Sequence, residues 1–189
     1  IRYSIWCDVD YRKWWEASST MSTLKVDAIR SSGGSADGLT MDSSGRVLTP
    51  ARPAFHAYDA SSGHQELTHG SWQIVPFDTT SINTGGHYNT STYRFTAPVA
   101  GLYFFYIQLY MDKAGGVRYS GIDKNGSSVA KSQIGSNTDD DGTATATKIL
   151  ELSVNDYVQP AIYHSVDTAN SFYSGGDGVY SHFMGYLLG

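Results

Sequence analysis

Cysteine is almost absent: Cys7 is the single one in 189 residues, so an intrachain disulfide is excluded and the fold does not depend on an oxidising compartment. No run approaches the roughly 18 to 20 consecutive apolar residues of a membrane-spanning helix, and no basic stretch followed by an apolar one opens the chain, so neither membrane insertion nor a secretion signal is expected. Charge is scarce too. Only 16% of residues are charged, and 18 acidic against 13 basic side chains give a net charge of −5, which argues against a nucleic-acid partner. Glutamate, a good helix former, occurs three times (Glu16, Glu66, Glu151) against fifteen Asp. What is plentiful is Gly, Ser, Thr and Tyr, the palette of an all-β protein with many turns.

The first residue is Ile1, so the reading frame is expected to extend upstream, or to start at Met21. Trp6, Trp14 and Trp15 crowd into the first fifteen residues with Tyr3 and Tyr11. Such an aromatic density either forms a docking peptide that a partner covers or is incidental upstream sequence. From Leu24 to Pro53 short apolar runs (Leu24, Val26 and Ile29; Leu39 and Met41; Val47 and Leu48) stand between Ser, Gly and Asp, which predicts a stalk with short strands and a turn at Ser43-Ser44-Gly45. Residues 1–52 are therefore read as an N-terminal anchor or stalk, and 53–189 as the folded domain.

In that second part, β-branched and aromatic runs alternate with turn clusters about every ten residues. Strands are predicted at about 54–60, 72–77, 86–97, 101–111, 117–124, 127–134, 144–154, 157–166 and 178–188. A sandwich strand in a monomer turns alternate residues to water. Gly101 to Met111 does not: one parity carries Tyr103, Phe105, Ile107, Leu109 and Met111, the other Leu102, Phe104, Tyr106 and Tyr110, broken only by Gln108. The last strand repeats this, with Phe183 and Leu187 on one face and Met184, Tyr186 and Leu188 on the other. Both faces require burial, and further copies of the chain are the simplest cover for the second, so a homo-oligomer is expected.

The run Phe77, Asn83, Tyr88, Phe95, Gly101, Tyr103, Phe105 resembles the signature of the C1q-like globular domain of the C1q and tumour-necrosis-factor superfamily. Arg52-Pro53-Ala54-Phe55, Phe95-Thr96-Ala97-Pro98, the late hairpin Leu152 to Val158 and the closing Phe183-Met184-Gly185-Tyr186-Leu187-Leu188 resemble the same family. Ile107 departs from its pattern, where Phe or Tyr is usual, and Asn155 stands where it usually has Gly. The resemblance implies a ten-stranded antiparallel jelly-roll sandwich that assembles as a homotrimer. It also implies that the signature residues, with Phe183 and Tyr186, form the core and the trimer contact. Residues 22–47, from Ser22-Thr23-Leu24-Lys25-Val26 to Ser44-Gly45-Arg46-Val47, resemble the opening of structural proteins from marine tailed phages, which implies a fibre, a tail appendage or a head decoration. No collagen-like Gly-X-Y repeat precedes the domain.

Catalytic chemistry is not apparent. His56, His64, His69, His87, His164 and His182 are scattered without metal-ligand spacing, and His64, His69 and His87 fall in predicted loops. No Gly-rich phosphate loop opens a helix. Asp139, Asp140 and Asp141 are adjacent carboxylates before Gly142. Adjacent Asp side chains cannot by themselves supply the six or seven oxygens that calcium takes, so a solvated turn is the simpler reading, with a calcium site built by three loops at a threefold apex as the alternative. The expectation is thus a non-enzymatic trimeric knob on a virion surface without a cofactor. Residues 1–52 would bind other virion structural proteins, and the knob would adhere to a host-surface polysaccharide or protein. A cement protein without a ligand and an extracellular C1q-like lectin or signalling ligand are the alternatives.

Overall fold

The computed structural model describes residues 25–35, 37–111, 116–134, 141–165 and 172–189, and every regular element among them is a β-strand. In chain order these are β1 (Ala28–Ile29), β2 (Leu39–Met41), β3 (Val47–Leu48), β4 (Ala54–Tyr58), β5 (His64–Gln65), β6 (Gln73–Ile74), β7 (Thr79–Thr84), β8 (Tyr88–Asn89), β9 (Arg94–Thr96), β10 (Gly101–Met111), β11 (Arg118–Lys124), β12 (Ser127–Ile134), β13 (Gly142–Leu152), β14 (Tyr157–His164), β15 (Phe172–Tyr173) and β16 (His182–Leu187). Two antiparallel sheets face each other. The first runs β13-β10-β16-β4-β7; the second runs β12-β11-β14-β9-β8, with β6 also pairing β14. This is a jelly roll, as expected.

The pleat of β10 decides which of its two apolar faces is the core. Tyr103, Phe105, Ile107, Leu109 and Met111 are buried, while Leu102 is exposed and Phe104, Tyr106, Gln108 and Tyr110 are half-buried. Phe55 of β4 centres the aromatic core, its ring 5.0 Å from those of Tyr88, Phe95 and Phe183. Each such ring contributes on the order of 1.5 to 3 kcal/mol by leaving water. Gly185 is required here: a Cβ at that position would stand 2.6 Å from the Phe105 ring and 2.8 Å from the Phe104 carbonyl.

Turns follow from local chemistry. Asn125 and Asn155 hold left-handed backbone (φ +50° and +71°), a conformation Asn tolerates better than most residues. Asp156 ties these two turns together: its carboxylate accepts from Asn125 Nδ2 (2.8 Å), Ser153 N (2.9 Å) and Lys124 Nζ (2.9 Å). Those donors hold its pKa down to about 2.

Two departures from the expected strands have physical causes. The run Thr79-Thr80-Ser81-Ile82-Asn83-Thr84 is a strand that the apolar pattern missed; among the described residues it is an edge strand paired with β4, so hydroxyl side chains suffice on it. The expected strand 86–97 divides into β8 and β9, because Tyr93 adopts φ +58° and the Asn89 carboxamide oxygen accepts from the Ser91 and Thr92 amides, closing a turn between them. N-terminal to the sandwich, β1, β2 and β3 form a separate antiparallel sheet, its β2–β3 turn closed by Asp42 accepting from the Ser44 and Arg46 amides, each at 2.9 Å.

Candidate functional site

The outward face of the first sheet is built by register. On β10, Phe104 lies between Ile149 of β13 and Tyr186 of β16, and Tyr106 lies between Thr147 and Met184. Met184 in turn pairs His56 of β4, which pairs Ile82 of β7. Two continuous rows result, Ile149–Phe104–Tyr186–Ala54 and Thr147–Tyr106–Met184–His56–Ile82. Ile149 is 56% exposed, Ile82 52%, Leu102 47% and Tyr186 42%, a contiguous apolar surface of the kind that marks a protein contact.

The rings on this face are ordered against one another. Phe104 and Tyr186 lie 5.5 Å apart, Tyr106 stacks on His182 at 5.6 Å, and His182 lies 5.0 Å from His56. Tyr106 Oη donates to Gln108 Oε1 (2.7 Å), and His56 Nδ1 is 2.7 Å from Ser81 Oγ. Burial lowers the pKa of both imidazoles, since a half-buried ring resists charging; His182 is lowered further by His56, with the Gly178 backbone opposing. His182 Nδ1 is buried without a hydrogen-bond partner among the described residues. At the end of the face, Tyr110, Tyr173 and Tyr180 form an edge-to-face cluster with centroids 5.0 to 6.2 Å apart, and His64 packs on Tyr173 at 5.1 Å. His64, expected in a loop, instead pairs with Tyr173 on the short β5–β15 ladder.

The residues singled out by the sequence take distinct places. Phe77, Tyr88, Phe95, Tyr103, Phe105 and Phe183 are core. Asn83 closes the β7–β8 turn from its side chain, Nδ2 donating to the Tyr88 carbonyl (2.9 Å) and Oδ1 accepting from the Tyr88 amide (3.0 Å). Tyr88 Oη donates to the Phe77 carbonyl (3.0 Å), and burial raises its pKa far above the ordinary phenol value. Tyr103 Oη donates to the Val99 carbonyl (2.8 Å). Gly101 admits the C-terminus, since a Cβ there would stand 2.8 Å from the Gly189 carbonyl oxygen. Tyr186 alone of these lies on the outward face. Trp6, Trp14, Trp15, Asp139 and Asp140 lie outside the described residues; Asp141 accepts from Tyr110 Oη at 2.8 Å. Among the described residues, no group of three or more His, Cys, Asp or Glu could hold a metal ion.

Sequence reasoning did not find Ile82, Ile149 and His56 as members of this face. Each stands in a polar or short strand, and only register brings it beside Phe104, Tyr106 and Met184.

Residues 54–188, which hold this core and these turns, match the C1q domain. The chain belongs to the C1q domain family. Among solved structures it is similar to the globular domain of zebrafish complement 1qA protein (16% identity, 73% of this chain and 98% of that one, TM-score 0.57). It is also similar to Eiger TNF from S. frugiperda (13% identity, 74% and 94%, TM-score 0.58) and to murine APRIL (9% identity, 72% and 99%, TM-score 0.56). At these identities the likeness is one of fold. C1q and TNF domains typically form homotrimers and are typically non-enzymatic binding or structural proteins.

Proposed function

We propose that this C1q-family chain is a non-enzymatic homotrimeric virion structural protein, a knob of residues 53–189 carried by a 1–52 segment that attaches it to a phage particle. The outward face of the first sheet carries the reading: an apolar surface running from Ile149 through Phe104 and Tyr186 and from Tyr106 through Met184 to Ile82 is the surface a trimer would bury. Family membership supports the trimer, and the phage-like segment 22–47 supports the particle.

The knob acts by multivalency. Three copies of each surface site on one rigid body raise avidity by orders of magnitude over a single weak site, which suits adhesion to a host-surface polysaccharide or protein. No cofactor enters this mechanism. Calcium at Asp139, Asp140 and Asp141 would add a clamp at the apex, and chelation by EDTA tests for it: an unchanged melting temperature excludes that clamp. The deciding experiment is fractionation of infected-cell lysates with an antibody to the chain. Co-sedimentation with particles, and release of host binding when antibody covers the knob, are expected. Recovery only in the soluble fraction would favour an extracellular C1q-like ligand, and particle association without any effect on adsorption a cement protein.

A further inference from the structure

The second sheet also carries rings on its outward face, far from the surface that the trimer would use. Gly121 of β11, Ala130 of β12 and Ala161 of β14 are neighbours: a Cβ built on Gly121 would stand 3.4 Å from both the Ala130 carbonyl oxygen and the Ala161 methyl. Gly121 and its register partner Ala161 leave a flat floor, while the Ala130 side chain turns to the core, and Trp72 lies on that floor, its Cζ3 so near Gly121 that a Cβ there would meet it at 2.9 Å. Tyr119 and Tyr163 face one another across β11 and β14, with centroids 5.8 and 5.7 Å from the indole and 5.9 Å from each other. Lys131 places Nζ 4.4 Å over the Trp72 ring. Val117 and Ser165 close the end of a cleft of about 400 Å³.

This surface is aromatic at the bottom and polar at the rim. Trp72 remains 38% exposed although its ring touches Gly121, Tyr119, Tyr163 and Lys131, so the exposure is not that of a loose side chain. An apolar peptide would leave the Lys131 ammonium and the neighbouring Asp123 carboxyl against hydrocarbon. A nucleic acid would meet a chain of net charge −5. A pyranose ring matches both parts, with an apolar C–H face for the indole and hydroxyls for Lys131 and Ser165.

We propose that the groove of Trp72, Tyr119, Tyr163 and Lys131 is a glycan subsite that stacks one pyranose ring of a polysaccharide. It rests on the reading of a trimeric adhesion knob, in which three such grooves stand on the flanks of the assembly.

Calorimetric titration of the full chain with a β-glucan hexasaccharide, a mannan hexasaccharide and a hexauronate tests it, with mass measured by light scattering on the same samples. At least one hexasaccharide is expected to bind. Trp72→Ala and Tyr119→Ala should each weaken that binding tenfold or more while far-ultraviolet circular dichroism stays that of the β-sandwich. Gly121→Ala, which lifts the indole from its floor, should weaken it as well, and Tyr180→Ala, in the separate tyrosine cluster, should not. Binding of none of the three, or binding indifferent to both ring truncations, overturns the subsite. A monomer that still binds through Trp72 would overturn the trimer and leave the subsite standing; a trimer that binds nothing would do the reverse.

Discussion

The sandwich and the small N-terminal sheet draw on the same residue types to opposite effect. Between Ala54 and Leu187 the strands bury one parity so thoroughly that Phe95, Tyr103, Phe105 and Phe183 have no accessible surface. Between Lys25 and Arg52 none of the described residues is buried, and Val26, Ile29, Leu39, Met41, Val47 and Leu48 are all exposed. The difference is one of layers. A sheet gains stability only when a second layer covers its apolar side, and two- and three-residue strands with no facing layer gain little. The jelly roll supplies both of its layers, whereas among the described residues no second layer covers the N-terminal sheet, consistent with the proposed attachment to a particle.

The two regions should differ most when a core ring is truncated. Phe105→Ala removes a fully buried ring in contact with Phe55, Phe95 and Phe183 and should cost on the order of 3 to 5 kcal/mol in chemical denaturation. Val47→Ala, in the small sheet at 62% exposure, should fall within about 0.5 kcal/mol. Equal costs would mean that the N-terminal sheet is buried in the free protein.

Next in size is the outward face. Met184→Asp places a carboxylate between Tyr106 and His56 and should convert the assembly to monomer while far-ultraviolet circular dichroism stays that of the β-sandwich. Loss of the fold itself would show that the face is core rather than contact.

Acid should act on the same face. An unfolded imidazole titrates near 6.5, and His56 and His182 lie below that in the folded chain, so below pH 6.5 the unfolded chain binds more protons. Stability is therefore full above pH 6.5 and lost as pH falls through that value toward the folded pKa values. Thermal melts from pH 8 to 5 should show this, and His182→Asn should flatten the slope. A wild-type melting temperature constant across that range would contradict the burial of these rings.

The smallest effect belongs to the segment itself. Deleting residues 1–52 should move the melting temperature by only a few degrees, because none of the described residues in that segment is buried, and should abolish incorporation into particles. Incorporation of the shortened chain would remove the anchor from the account.

The strands and the family were legible because alternation and turn residues are local. Phe77, Asn83, Tyr88, Phe95, Gly101, Tyr103 and Phe105 stand at fixed spacing along one stretch, and the hairpin at Asn155 announces itself by a residue that accepts left-handed backbone. Which face of β10 is the core was not legible, since both parities of 101–111 are apolar. Packing decides it, through Phe55 stacking on Tyr88 and Phe95 and through Gly185 making room for Phe105. The outward face and the Trp72 groove were illegible for a related reason: Ile82, Ile149 and His56, like Trp72, Tyr119 and Tyr163, lie far apart in sequence and meet only through antiparallel register.

The central claim is that the rows through Phe104, Tyr186, Tyr106 and Met184 are covered by two further copies of the chain. Light scattering coupled to size-exclusion chromatography, on the full chain at micromolar concentration and neutral pH, measures this directly. Three times the 20.6 kDa chain mass is expected. A stable species of one chain mass, folded and with that aromatic face open to water, would contradict it.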